Sequence, residues 1–172
     1  CDSIQLYQGV PIGSAMPSKI DRNLVPHFLY EVFPKGAEAT VGDYYRKFFE
    51  QLEVVKNQFS QIIVVGGTGF YFQAIEKGLF QIGAVNSETI EELEKLVCEP
   101  GGAQKLYQQL QLVDPVSARK ISVNDHYRLV RALEIYKTHG KPKSQVEEDF
   151  KKEQKKFPYP LLKIGIETSR EI

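Results

Sequence analysis

The 172-residue chain has little cysteine, methionine or histidine and no tryptophan. Its two cysteines, Cys1 and Cys98, are too few for a disulfide framework, and no stretch resembles a signal peptide or is apolar over a membrane-spanning length. The three histidines, His27, His126 and His139, have neither the spacing of a metal site nor that of a catalytic triad. These absences argue against a secreted or membrane protein and favour the reducing cytoplasm.

The sequence also has no excess of positive or of negative charge. The 22 Lys and Arg residues balance 22 Asp and Glu residues, which argues against a generally basic nucleic-acid binder and against an acidic disordered tail. Residues 119–143, however, hold seven bases against two acids. A polyanion site is therefore expected to be local and to lie in this segment.

The sequence also contains no G-x-x-x-x-G-K-[ST] motif, and its single methionine, Met16, is not its first residue. We therefore expect the sequence to be part of a longer protein, in which any P-loop lies before Cys1. With 42% apolar residues, the chain is nevertheless long enough to bury a core of its own.

The first half of the chain has an α/β pattern. Residues 1–40 are rich in proline and glycine, which predicts loops with short elements, and the apolar spacing predicts an amphipathic helix over 43–59. The β-branched run 62–65 predicts a strand buried in a parallel sheet, and a glycine turn leads from it into a predicted helix over 70–76. Ligands of such folds collect where the strands end.

Helical patterns dominate the second half. Caps and breakers predict helices over 87–97, over 103–112, from Pro115 onward, and from Asp125 to about His139. Residues 141–156, with six lysines and four acids, predict a solvated connector, and residues 161–166 predict a strand that returns to the sheet.

Two motifs near the predicted sheet are candidates for chemistry. In the turn Gly66-Gly67-Thr68-Gly69, the missing side chains let backbone N–H groups and a hydroxyl approach an anion at the positive end of a helix. The alternative is a tight turn without a ligand. Asp2 is ionised at neutral pH and could accept a proton from a reacting amine, or it could serve only as a turn or N-cap residue.

A third motif lies in the basic segment. Arg128 and Arg131 are three residues apart and share a helix face, while Leu129 is expected to face inward. Two guanidiniums on one face suit the recognition of phosphates or bases. The alternative is that both arginines are exposed and pair with Asp125 or Glu134.

Several sequence runs occur at collinear positions along nearly the whole chain, and together they are more specific than any single motif. They are DSIQLYQG (2–9), IGSA (12–15), PHFL (26–29), VGGTGFYF (65–72), VDP (113–115), ND (124–125) and RLVRALE (128–134). In order and spacing they resemble the tRNA dimethylallyltransferase family.

The resemblance implies a reaction and a fold. The reaction is transfer of a dimethylallyl group from dimethylallyl diphosphate to N6 of the adenine 3′ of a tRNA anticodon, after this base has left its stack. The fold is α/β, with a P-loop-NTPase-like parallel sheet core that holds the diphosphate with Mg²⁺ and a helical insertion that grips the anticodon stem-loop. Residues 1–78 would belong to the catalytic core, 79–156 to the tRNA-binding insertion and 157–172 to the return into the core.

Carried over by position, the resemblance also implies roles for single residues. Asp2 and Thr68 would be the catalytic residues: Asp2 as the acceptor on the attacking amine, and Thr68 at the reacting end of the channel near the diphosphate. Gly66, Gly67 and Gly69 would form the loop on the diphosphate side. The residues implied to contact tRNA are Asp2, Ser3, Ile4, Gln5, Tyr127, Arg128, Leu129, Val130 and Arg131.

The sequence departs from the family at Met16, where a lysine is usual, and at Phe28, where a second histidine is expected. The resemblance places the family's P-loop before Cys1 and a catalytic arginine after Ile172, so these residues would hold half an active site. Two other functions stay open: an adenylate isopentenyltransferase, against which the basic segment 119–143 argues, and a non-catalytic tRNA-binding module. A P-loop in the full-length sequence would favour the enzyme.

Overall fold

The computed structural model describes residues 1–79, 87–153 and 157–167. The chain divides into two compact units: unit 1 comprises Cys1–Leu79 and Lys155–Ile172, and unit 2 comprises Phe80–Gln154. These boundaries lie close to those drawn from the sequence, whereas the functions assigned to the parts stay predictions.

The regular structure of the described residues is α-helical, and none of their helices is long and apolar enough to cross a membrane. In chain order, helices α1 to α8 are Lys19–Leu24, Val41–Val55, Gly69–Lys77, Ser87–Cys98, Gly102–Val113, Pro115–Ala118, His126–His139 and Lys143–Glu153. In addition, an isolated parallel bridge joins Tyr7 to Phe33.

The predicted strands at 62–65 and 161–166 are wrong for this structure, because both segments are irregular. Ile63 and Ile164 are each 82% exposed. A strand of a parallel sheet needs hydrogen-bonded neighbours and cover on both faces, and a short β-branched run cannot provide these by itself. The parallel sheet expected from the sequence is thus not seen in the described residues.

Within the solvated connector predicted over 141–156, the structure has a helix, because α8 occupies Lys143–Glu153. No residue of α8 is buried. Two ion pairs at i,i+4 spacing, Lys143 with Glu147 and Lys152 with Glu148, run along this helix. Such pairs contribute to the stability of a helix in which no residue is fully buried.

The other helices of unit 2 follow their predicted caps. The Asp114 carboxylate accepts a hydrogen bond from the Ser117 N–H at 3.0 Å, and Pro115 occupies the first turn of α6. The Asp125 carboxylate accepts from the first turn of α7, and Gly140 ends that helix in the left-handed conformation with φ 66°.

Each unit has a core of its own. In unit 1, Tyr44 of α2 stacks on Tyr71 of α3 with the ring centroids 4.3 Å apart. The other buried residues of this core are Leu6, Phe48, Leu52 and Ile75. The core of unit 2 is aliphatic and comprises Leu93, Val97, Leu106, Leu110, Ala118, Ile121, Leu129, Val130, Ala132 and Leu133. Since α3 begins at the glycine turn, the tyrosine stack also fixes the position of that turn.

Candidate active site and nucleic-acid interface

The glycine turn contacts the first residues of the chain, although 65 positions separate Ser3 from Thr68. The Ser3 N–H donates to Thr68 Oγ1 at 3.1 Å, and the Thr68 N–H donates to the Cys1 carbonyl oxygen at 3.4 Å. The Cys1 nitrogen donates in turn to the Val65 carbonyl oxygen at 2.6 Å. Two segments that were predicted to have separate chemical roles therefore lie side by side.

Gly66 permits this close approach. Its φ is +157°, and a Cβ at this position would lie 2.0 Å from the Cys1 carbonyl oxygen. Around Gly67 and Gly69 the corresponding space is open, with nothing within 4 Å. Gly66 is thus needed for packing, whereas Gly67 and Gly69 leave the outer side of the turn open to a ligand.

Thr68 occupies the N-cap position of α3 but does not cap the helix through its side chain. Its hydroxyl faces Ser3 instead, with the Ser3 N–H at 3.1 Å and the Ser3 Oγ at 3.5 Å. The N-terminus of a helix carries partial positive charge, which stabilises an anion placed there. Two hydroxyls and a helix N-terminus thus converge at this point.

Asp2 holds its own segment in a turn. Its Oδ1 accepts hydrogen bonds from the N–H groups of Ile4 at 2.8 Å and Gln5 at 3.3 Å. The turn role that the sequence left open is therefore confirmed. Within the described residues no hydrogen bond engages Oδ2, so one oxygen anchors the turn and the other is free to accept a proton. The catalytic role of Asp2 stays a prediction.

The side chains of Ile4 and Gln5, which follow Asp2 in the turn, differ in whether they are free to contact a ligand. The Ile4 side chain is 54% exposed. The Gln5 side-chain amide instead donates to the carbonyl oxygens of Ser14 at 2.9 Å and Ala15 at 3.2 Å. Gln5 therefore holds the loop around Ala15, a residue in the left-handed conformation with φ 49°. No signal in the sequence pointed to this contact.

The predicted tRNA residues of α7 lie in different environments. Tyr127 is 80% exposed, whereas Leu129 and Val130 are 0% and 6% exposed. The prediction that Leu129 faces inward is confirmed. The side chains of Leu129 and Val130 belong to the core of unit 2, so a side-chain contact of either residue with RNA is excluded by burial. These two residues hold their exposed neighbours in place.

Both arginines of α7 are paired with carboxylates, Arg128 with Asp125 and Arg131 with Glu134. The ion-paired alternative is therefore what this structure contains. The hydrogen bonds from the Arg128 side chain and backbone hold the pKa of Asp125 below its ordinary value. An RNA phosphate would have to share these guanidiniums with carboxylates or displace them.

Asp114 has a role that the sequence did not reveal. It is 1% exposed, and besides capping α6 it accepts hydrogen bonds from the Ser144 N–H at 2.9 Å and the Ser144 hydroxyl at 2.7 Å. Burial by itself would raise the pKa of Asp114, but the hydrogen bonds from Ser117 and Ser144 outweigh it and hold the pKa below its ordinary value. Asp114 thus fastens the start of α8 to α6.

A glycine turn at a helix N-terminus suits an anionic group such as a phosphate, and the Asp2 carboxylate in the adjoining segment suits a proton acceptor. Comparison with known sequences gives the family. The sequence model described as IPP transferase matches residues 5–172, and the chain therefore belongs to the IPP transferase family. The resemblance stated from the sequence motifs is confirmed.

Individual relatives agree with this assignment. The chain is 41% identical over 172 residues to the tRNA dimethylallyltransferase of Bdellovibrio bacteriovorus, covering 100% of this chain and 56% of that protein. It is 34% identical over 171 residues to the tRNA dimethylallyltransferase of Geobacter metallireducens, covering 99% and 54%. The chain thus spans about half the length of the curated relatives it matches.

A solved structure is similar as well. It shows a eukaryotic dimethylallyltransferase acting on tRNA, and it matches with a TM-score of 0.71 and 25% sequence identity. The match covers 86% of this chain and 37% of that one. The likeness therefore extends over most of the chain.

Proposed function

We propose that the protein to which this chain belongs transfers a dimethylallyl group from dimethylallyl diphosphate to N6 of the adenine 3′ of the anticodon in tRNA. The observation that carries the proposal is the 3.1 Å hydrogen bond from Ser3 to Thr68, which joins the segment assigned to the adenine to the turn assigned to the diphosphate. Relatives named tRNA dimethylallyltransferase and a structural neighbour acting on tRNA support it.

The residues of the site suit this reaction. The N6 lone pair attacks C1 of the dimethylallyl group, the bond from C1 to the diphosphate oxygen breaks, and diphosphate leaves with the bonding electrons. N6 then loses one proton, which Asp2 accepts on Oδ2. The Gly66 to Gly69 turn and the N-terminus of α3 stabilise the negative charge that grows on the leaving diphosphate.

Three further features belong to the same proposal. The runs 62–65 and 161–166 would join the P-loop-like sheet of the whole protein, and the cytoplasm is the expected location. Mg²⁺ would bind together with the diphosphate, because it is commonly held by one or two carboxylates plus substrate phosphates. Within the described ranges, no three His, Cys, Asp or Glu side chains cluster as metal ligands.

The RNA-binding part of the proposal rests on the exposed side of α7. Tyr127 can stack on an unpaired base of the anticodon loop, and Arg128 and Arg131 can bind phosphates. Removal of a phosphate contact weakens binding to all tRNAs and lowers the salt slope of binding by about 1. Affinities of Arg128→Ala and Arg131→Ala over a salt series, with cognate and non-cognate tRNA, measure both effects.

Asp2→Asn in the full-length protein tests the proposed chemistry. Asparagine keeps an oxygen that can accept the two N–H bonds of the turn, but it cannot take a proton at neutral pH. We expect kcat to fall about 100-fold or more while the affinity for tRNA stays nearly unchanged. An unchanged kcat would leave Asp2 as a turn residue only.

The acceptor used in the assay distinguishes the other two functions. Transfer to free adenylate in place of tRNA would identify an adenylate isopentenyltransferase. Tight tRNA binding by full-length protein without any transfer would identify a non-catalytic binding module.

A further inference from the structure

The two arginine pairs of α7 differ in burial. In the Arg128–Asp125 pair the side chains are 71% and 27% exposed. In the Arg131–Glu134 pair the guanidinium is 37% exposed, whereas the carboxylate is only 3% exposed. The first pair is the more exposed of the two at both ends, and the second is anchored in the protein at its acidic end.

This difference determines how each arginine can meet a phosphate. A solvent-exposed pair contributes little to stability, so a phosphate can replace Asp125 as the partner of Arg128 at small cost. If Arg131 moved away from Glu134, it would leave a buried carboxylate without its cation, which is strongly unfavourable. Arg131 therefore has to stay beside Glu134 when RNA binds.

Arg131 can stay there and still bind RNA. A guanidinium has five N–H donors in a fixed planar fork, and the contact with Glu134 Oε1 engages Nη1. The donors on the other nitrogens point elsewhere in the same plane. Because the side chain is already ordered in the free protein, RNA binding does not have to order it.

We propose that Glu134 is a positioning residue for RNA binding: it holds the Arg131 guanidinium in one orientation, from which the remaining N–H groups contact a tRNA phosphate. The inference rests on the proposed tRNA-binding role of α7. Glu134 is a buried acid next to the site for a polyanion, and in this role it favours polyanion binding.

A simple charge argument gives the opposite sign. If Glu134 only neutralised Arg131, then its replacement by glutamine would remove a negative charge near the RNA and tighten binding. If Glu134 positions Arg131, the same replacement weakens binding, because the guanidinium becomes mobile. The direction of the change therefore separates the two roles.

The experiment compares Glu134→Gln, Arg131→Ala and the double variant in the full-length protein by tRNA affinity over a salt series. We expect Glu134→Gln to weaken binding several-fold and to lower the salt slope by up to about 1, as Arg131→Ala does. In the Arg131→Ala background, Glu134→Gln is expected to cause no further loss. A loss caused only by misfolding would not depend on Arg131 in this way.

Asp125→Asn is the matched control. Asparagine caps a helix as well as aspartate does, so the variant removes one carboxylate next to Arg128 and keeps the start of α7. We expect unchanged or tighter tRNA binding, the opposite of Glu134→Gln. Should Glu134→Gln fold poorly, Arg131→Lys keeps the charge but loses the fork, and we expect it to weaken binding.

Two results would overturn the inference: unchanged or tighter binding by Glu134→Gln when Arg131→Ala binds weakly, or wild-type binding by Arg131→Lys. Wild-type affinity and salt slope in both Arg128→Ala and Arg131→Ala would instead remove α7 from the RNA interface. That outcome would contradict the proposed function of this helix rather than the role of Glu134 alone.

Discussion

Units 1 and 2 differ in the kind of contact that joins their distant segments. In unit 2, α4, α5 and α7 pack through aliphatic residues that recur at helical spacing. In unit 1, irregular segments are joined to distant ones by hydrogen bonds, such as Ser3 to Thr68 and Gln8 to the Phe33 carbonyl oxygen. A helical core can be inferred from local periodicity, whereas a site built from loops depends on pairings that no local pattern specifies.

The largest effect is expected from damage to the helical core. Leu106 is 0% exposed at the centre of unit 2, and Leu106→Ala should cost about 2–5 kcal/mol because it leaves a cavity. Leu112, on the same helix, is 83% exposed, and Leu112→Ala should change stability by about 0.5 kcal/mol or less. Denaturant unfolding of the full-length protein, with amide hydrogen exchange over α4 to α7, measures both. Equal effects of the two substitutions would contradict the core assignment.

The next largest effect concerns the packing of loops in unit 1. Gly66→Ala places a Cβ 2.0 Å from the Cys1 carbonyl oxygen, so it should push the first residues away from the glycine turn. We expect a loss of about 1–3 kcal/mol in stability and of about 100-fold in kcat/KM, because the catalytic groups are displaced. Gly67→Ala meets open space and serves as the control for stability only, because the same space is open to the diphosphate. Equal stability of the two variants would mean that the close approach is not needed.

The smallest effect concerns a hydrogen bond in unit 2 that joins two residues far apart in sequence, as the hydrogen bonds of unit 1 do. Ser144→Ala removes the hydroxyl that donates to Asp114 and should cost about 1 kcal/mol at neutral pH. The hydrogen bonds hold the pKa of Asp114 below its unfolded value, so their stabilisation is complete above about pH 4 and is lost as the pH falls through the folded pKa. Unfolding measured from pH 7 to pH 3 should therefore show the wild-type advantage shrinking only below about pH 4. An advantage that stays constant over this range would contradict the role of the carboxylate.

The sequence predicts most helices well, because a helix is specified by neighbours a few residues apart. The predictions over 70–76, 87–97 and 103–112 match α3, α4 and α5 to within one residue at each end. The runs 62–65 and 161–166 were expected to be strands and are irregular, because strand formation depends on partners far along the chain.

The site was predictable in part. Motif resemblance marked Asp2 and the glycine turn, but it did not predict that Ser3 donates to Thr68 or that Gln5 holds the loop at Ala15. The same limit applies to Asp114, which was recognised as a helix cap but whose second partner, Ser144, lies 30 residues away. Leu129 and Val130 are both buried, so neither lies on the exposed side of α7. The helical spacing of residues 128–134 predicted this orientation for Leu129 but not for Val130.

The stack of Tyr44 on Tyr71 gives this molecule an internal optical reporter. The chain has no tryptophan, so tyrosine dominates its near-ultraviolet absorbance and emission. Burial raises the pKa of both phenols, which therefore stay protonated at a pH where an ordinary tyrosine ionises. An alkaline absorbance titration will thus contain a late class of tyrosines whose amplitude records whether α2 and α3 are packed together. Because Tyr71 lies in the first turn of α3, directly after the glycine turn, the same amplitude also reports whether that turn keeps its position.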